Sequence, residues 1–266
     1  MNVTAYLKRI HYRGSPAPTA PTLRELQVAH LLAVPFENLS IHSREPILLD
    51  DAALFTKIVE RNRGGFCYEC NGLFAALLRA LGYDVTMLSA EVANAEGGFG
   101  QPFDHMTLMV NLEQRWLVDV GFGDSFLEPL LLDEPSEQRQ GGRAFRIAAD
   151  GNYLILSRRD NDEWKPEYRF TLQPHEYQDF AEMCRYHQTS PQSHFTQKRI
   201  CSRAKADGGR ITLSAAAGTM PSEMRLITTS GNSERNERVL DGVEEYTDAL
   251  RKHFGVVMAA SGFNES

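Results

Sequence analysis

The sequence predicts an α+β fold: a helical N-terminal part, a central antiparallel β part and a mixed C-terminal segment. Three observations carry this. Up to about residue 82 apolar residues recur at helical spacing, most clearly at Leu73, Phe74, Leu77, Leu78 and Leu81. After Gly82 the pattern becomes short β-branched or alternating runs, separated by Gly, Pro and Asn clusters. From about residue 175 helical and strand patterns mix, and Glu244 to Phe254 closes the chain as a helix with Tyr246 and Leu250 one turn apart.

In the first part, Thr22-Leu23-Arg24-Glu25 fits a capping box ahead of the apolar Leu26 to Val34, and Pro35 ends that helix. A second helix, opened by Asp50 or Asp51, carries Leu54, Phe55, Ile58 and Val59 on one face and stops before Gly64-Gly65. The third starts at Cys67 and ends at Gly82. Strands are expected at Val85 to Val92, His105 to Leu112, Arg115 to Val120, Ala144 to Ala148 and Tyr153 to Leu156, then at Arg210 to Ser214 and Met224 to Thr229. Glu176 to Arg185 reads as a helix, Tyr186 to Phe195 as a polar loop, and the residues beyond Val257 as a frayed tail.

A chain of 266 residues can bury a sizeable core. A net charge of −7 argues against a general nucleic-acid binder. The N-terminus lacks the apolar core of a signal peptide, and nowhere do about twenty apolar residues run together, so no membrane span is expected. Four cysteines make a poor disulfide framework in so long a chain, which suits a reducing, cytoplasmic compartment and a reactive thiol.

The chemistry concentrates in Arg63-Gly64-Gly65-Phe66-Cys67-Tyr68-Glu69-Cys70-Asn71. Two glycines turn the backbone and leave Cys67 at a helix N-terminus, where unpaired N–H groups and the helix dipole favour thiolate. Cys67 is therefore the candidate nucleophile. With Asn111-Leu112-Glu113 as a hairpin loop, Met106 faces Val118 and His105 stands across from Asp119, on the face opposite Met106, Leu108 and Val110. A carboxylate on one ring nitrogen orients the imidazole and leaves the other to take a thiol proton. If the Cys67 helix packs against that face, Cys67, His105 and Asp119 form a triad suited to acyl transfer through a thioester.

These residues resemble the arylamine N-acetyltransferases. The likeness rests on Val34-Pro35-Phe36-Glu37-Asn38, the Arg63 to Glu69 stretch, His105, Val118-Asp119-Val120-Gly121-Phe122-Gly123 and Tyr186 to Phe195. It implies an N-terminal helical bundle (1–82), a central antiparallel β-barrel (83–185) and a C-terminal α/β lid (186–266), with a cysteine-protease-like catalytic core at their junction. It also implies ping-pong chemistry. Acetyl-coenzyme A acetylates Cys67, and an arylamine, hydrazine or N-hydroxyarylamine takes the acetyl group; no metal, nucleic acid or membrane takes part, and the chain is a monomer or weak homo-oligomer. By the same resemblance Phe36 and Phe122 line the acceptor site, Gly123, Tyr186, Gln192 and His194 lie near coenzyme A, and Arg63, Glu37 and Asn71 form a supporting polar network.

The sequence departs from the family at Cys70, at Gln192 and His194, where hydroxyl side chains are common, and at Pro102, which removes a backbone donor before His105. Other readings compete. Cys67-x-x-Cys70 suits a redox dithiol, and with Cys184-x-x-His187 a zinc site. The Cys, His, Asp order also fits transglutaminases and papain-like proteases. Within the resembling family, amide synthases are a further possibility.

Overall fold

The chain was analysed as a computed structural model that describes residues 1–216, 224–231 and 234–258. From residue 259 onward the expected tail lies outside them. The helical part comprises α1 (Val3–Arg9), α2 (Ala20–Ala33), a two-residue strand β1 (Phe36–Glu37), the single turn α3 (Leu39–His42), α4 (Asp51–Phe55) running into a π-helical turn at Thr56–Glu60, and α5 (Cys67–Ala80). Helix α2 starts a turn earlier than the capping-box reading. Thr19 is the cap, its hydroxyl accepting the Thr22 N–H, and Pro21 occupies the first turn, where a missing N–H costs nothing. Asp50 caps α4 through the N–H groups of Ala52 and Ala53 at 3.1 and 2.9 Å. Gly82 follows α5 with φ +91°, the left-handed conformation that terminates a helix.

Eight antiparallel strands follow: β2 (Asp84–Val92), β3 (His105–Asn111), β4 (Arg115–Val118), β5 (Leu130–Leu131), β6 (Gln138–Gln140), β7 (Arg143–Asp150), β8 (Tyr153–Asp160) and β9 (Glu163–Phe170). Their order, β5-β4-β3-β2-β9-β8-β7-β6, curls into a nearly closed barrel. Two glutamines bridge the seam between the edge strands. Gln138 bonds both the N–H and the C=O of Leu131, and Gln140 bonds the N–H groups of Leu127 and Glu128 and the Glu128 carbonyl. Side-chain amides thus satisfy backbone groups that a fully closed ladder would pair. Strand β9 escaped the sequence reading because Pro166 interrupts its pattern. It sits at a bulge, where Leu156 pairs with Tyr168 and Ser157 with Pro166, leaving Glu167 as the extra residue.

The β3–β4 register differs from the hairpin arithmetic by two residues. Asn111 pairs with Arg115 and Leu108 with Val118, so Leu112, Glu113 and Gln114 form the loop and Asp119 lies diagonal to His105 rather than opposite. An even shift preserves the faces, so His105 and Asp119 still share one. The helix position needs a larger correction. Helix α5 packs on the other face, its Leu73, Phe74, Leu77 and Leu78 clustering with Met106, Leu108, Val110 and Val118. The His105 face looks into the barrel, towards Tyr168 and Phe122.

The last part contains a 3-10 turn (Tyr177–Phe180), α6 (Ala181–Thr189), α7 (His194–Gln197), β10 (Lys198–Ala204), β11 (Arg210–Ala216), β12 (Arg225–Thr229), β13 (Arg235–Val239) and α8 (Gly242–Phe254). The segment read as a loop from Tyr186 is helical to Thr189 and again from His194. Strand β1 joins the edge of this second sheet, Phe36 opposite Ser202, which ties the helical part to the C-terminal one. Helix α8 covers the sheet through Tyr246, Ala249, Leu250 and Phe254 against Cys201, Leu213 and Ala215.

Candidate active site

The Arg63–Asn71 bend is held by two buried ion pairs. Glu37 receives Arg63 Nε and Nη2 at 2.9 and 3.1 Å and also accepts the N–H groups of Leu39 and Gly64. Lys57 reaches Glu69 at 2.6 Å, and Glu69 accepts the Phe66 N–H, capping α5. Gly64 crosses β1 so closely that a Cβ there would lie 1.8 Å from the Pro35 carbonyl oxygen. The cysteine at position 70 has a local role: its thiol donates to the Gly65 carbonyl at 3.2 Å inside the core, and burial pushes it further from ionisation. A dithiol exchange partner needs an accessible, acidified sulfur, which Cys70 is not. Among the described residues no group of His, Cys, Asp and Glu is arranged to hold a metal.

Cys67 is the first residue of α5 and lines the same cavity as His105, the first residue of β3. Gly121 permits a close approach to α5, since a Cβ on it would lie 2.7 Å from both Cys67 Cα and Asn71 Nδ2. His105 Nε2 lies 2.6 Å from Asp119 Oδ2. Asp119 also accepts hydrogen bonds from Asn71 Nδ2 at 2.9 Å, the Gly121 N–H at 2.8 Å and the Tyr168 hydroxyl at 3.1 Å. Burial works against the Asp119 charge, but His105, Asn71 and the Gly121 N–H outweigh it and hold the carboxyl below its ordinary value. An ionised Asp119 requires the His105 proton on Nε2, which leaves Nδ1 as the free base.

The helix-terminus argument for a ready thiolate is incomplete. Burial pushes the Cys67 thiol well up; a hydrogen bond from the Met106 N–H opposes this, while Cys184, Asp119 and Asp104 add to it. A thiolate there needs a positive charge at hand to offset burial, and His105 lines the same cavity.

Cys67 and His105 share a cavity of about 140 Å³ with Phe36, Val92, Asp104, Gly121, Phe122, His187, His194 and Phe195. The structure thus brings together Cys67, His105, Phe36, Phe122 and His194, with Asp119 behind His105. Gly123, at φ +97°, passes the ring of Phe36, where a Cβ would stand 3.5 Å away. Tyr186 stacks edge-on against His187 at 5.5 Å, and Gln192 is exposed on the loop before α7; neither lines the cavity. Asn71 belongs with Asp119, not with the Arg63–Glu37 pair where the resemblance had grouped it. It donates to the Met106 carbonyl at 2.7 Å and accepts the Val120 N–H at 2.8 Å. Sequence reasoning gave no role to Tyr168, to Asp104 or to Phe195, although the last closes a stretch quoted for the resemblance, nor to Gln27, whose Oε1 accepts the Asp119 N–H at 3.3 Å. His187 had been weighed only as a zinc ligand.

A family described as N-acetyltransferase matches residues 19–263. The arylamine N-acetyltransferase / N-hydroxyarylamine O-acetyltransferase of Salmonella typhimurium is 36% identical over 79% of this chain and 75% of its own. The chain belongs to the arylamine N-acetyltransferase family. The solved structure of an arylamine N-acetyltransferase from Salmonella typhimurium superimposes with a TM-score of 0.89 at 29% identity, over 98% of this chain and 95% of that one. The arylamine N-acetyltransferase of Mycobacterium marinum in complex with CoA gives 0.86 at 30% identity, over 98% and 97%. Proansamycin X synthase of Amycolatopsis mediterranei is also similar, 36% identical over 78% of this chain and 83% of its own. The family accounts for the order of helical part, barrel and second sheet, and it makes the chain an acyltransferase.

Proposed function

We propose that this chain transfers acetyl from acetyl-coenzyme A to arylamines, hydrazines and N-hydroxyarylamines by a ping-pong route through a Cys67 thioester. The observation that carries the reading is the shared cavity: a nucleophile at a helix N-terminus, an imidazole oriented by a buried carboxylate, and the aromatic walls of Phe36, Phe122 and Phe195. Cys67 gives its proton to His105 Nδ1 as sulfur attacks the acetyl carbonyl. The Cys67 and Tyr68 N–H groups precede the first bonds of α5, which run from the Glu69 and Cys70 N–H groups to the Phe66 carbonyl, and can receive the developing oxyanion. His105 then passes the proton to departing coenzyme A. In the second half, the acceptor nitrogen attacks the thioester, its proton goes to His105, and the thiolate leaves beside the imidazolium.

The resemblance places coenzyme A near Gly123, Tyr186, Gln192 and His194; His194 on the cavity wall and Gly123 beside Phe36 support that side as the donor's entry. The division at 82 and 185 puts the three triad residues on either side of the first boundary. An aromatic amine is largely uncharged at neutral pH and meets ring faces here. None of the described helices is long and apolar enough to cross a membrane. Intact-mass analysis tests the mechanism. Acetyl-coenzyme A alone should add one acetyl group to the native protein and none to Cys67→Ala, and His105→Ala should lose nearly all turnover. An unmodified mass after incubation with several acyl-coenzyme A donors would overturn it.

A further inference from the structure

The cavity that Cys67 and His105 line also carries a second imidazole and carboxylate. Nε2 of His187, on α6, lies 3.1 Å from Asp104 Oδ1, and Nδ1 lies 3.0 Å from Ser193 Oγ. Ser193 Oγ also accepts the Phe195 N–H. Nε2 is buried, and its contact with Asp104 is off the line of a good hydrogen bond. His187 thus flanks Asp104 on one side by contact, and the carboxylate keeps acceptor capacity towards the cavity that it lines.

The backbone aims Asp104 there at a cost. Phe103, immediately before it, is a non-glycine residue at φ +66°. Tyr68, next to the nucleophile, donates its hydroxyl to the Phe103 carbonyl at 2.7 Å and the Asp104 carbonyl at 3.2 Å; Ser89 Oγ accepts the Phe103 N–H at 2.7 Å. The Phe103 ring packs against His175 and Phe180. The titratable groups on the cavity wall are Cys67, Asp104, His105, His187 and His194, and neither a lysine nor an arginine is among the described lining residues. Lys57 and Arg63 lie behind the bend and are paired with Glu69 and Glu37.

We propose that Asp104, held by His187, is a specificity residue of the acceptor site: it selects neutral or proton-donating aromatic amines and rejects those bearing an anionic ring substituent. This rests on the acetyl-transfer reading above and adds a residue and a charge rule to it. A carboxylate a few ångströms from a second anion, in a cavity without a fixed cation, is expected to discriminate by tenfold or more.

Two acceptors of matched size test it, 4-aminobenzamide and 4-aminobenzoate. The wild type should favour the amide in kcat/KM by about tenfold or more, Asp104→Asn should bring that ratio close to one, and His187→Gln, which keeps the carboxylate, should retain a preference for the amide. Equal use of both acceptors by the wild type overturns the proposal even if Asp104→Asn fails to fold. So does an unchanged ratio in folded Asp104→Asn. Release of one equivalent of coenzyme A without acceptor reports the Cys67 half-reaction separately; its absence from the wild type would instead overturn the acyl-transfer reading.

Discussion

Replacing Arg63 by Met puts the bend beneath the nucleophile under a calculable stress. Glu37 is fully buried, and without Arg63 it keeps only the N–H groups of Leu39 and Gly64 as direct donors. Burial alone would raise the Glu37 carboxyl, but Lys57, Arg63 and the Leu39 N–H together bring it from 4.5 down to about 2. That difference corresponds to about 3 kcal/mol of stability at neutral pH, within the range of about 3–5 kcal/mol lost on breaking a buried pair from one side. The folded-state value is depressed, so the contribution is complete above pH 4.5 and is lost as pH falls towards 2. Urea unfolding at pH 7 should therefore show Arg63→Met destabilised by about 3 kcal/mol. The gap should narrow towards pH 3.5, where protonation relieves the stranded carboxylate. Adding Glu37→Gln should recover part of the loss, because it removes the stranded charge. A loss below about 1 kcal/mol, or a double variant as unstable as the single one, would refute the assignment of this pair as the anchor of the bend.

Cys70→Ser should keep acetyl transfer within a few-fold of wild type and lower the melting temperature by a few degrees, since it alters one buried contact to the Gly65 carbonyl. Loss of turnover in folded protein would return the dithiol reading. Glu167, at the β8–β9 bulge beside Ser125 and Arg158, is pushed up by burial to about 7, although both neighbours pull the other way. With a raised folded-state value, its contribution is present below pH 4.5 and lost as pH rises to 7, up to about 3 kcal/mol. Thermal melts of Glu167→Gln should thus gain on wild type between pH 5 and pH 8, and a difference that does not change with pH would count against it.

The helical part was legible because its signals are local. Asp50, Pro35 and Gly82 act within a few residues of the helix ends they set, and the α5 apolar stripe is continuous. Strand β9 was not, since Pro166 reads as a breaker unless the bulge opposite Ser157 is known, and that bulge is a property of two strands. The Gln138 and Gln140 seam was invisible for the same reason: polar residues on an edge strand read as solvent-facing until the other edge is seen to arrive beside them.

The hairpin shows why a wrong register can still bring His105 and Asp119 together. Side chains alternate with period two along a strand, so a hairpin misaligned by two residues keeps His105 and Asp119 on one face, whereas an error of one would have separated them. Placing the nucleophile was harder, because a helix packed on the opposite apolar face can reach a base only around the end of the strands. Gly121 permits the close approach to Cys67, and the sequence held it inside the Val118 to Gly123 motif without showing what it approaches. Asp104 and His187 come from segments more than eighty residues apart and meet only when α6 docks on the loop before β3. Periodicity could not pair them. The departure from family pattern just before His105 marked the place, and the strained Phe103 beneath it gives that departure a structural consequence: it fixes a charge on the acceptor side of the cavity.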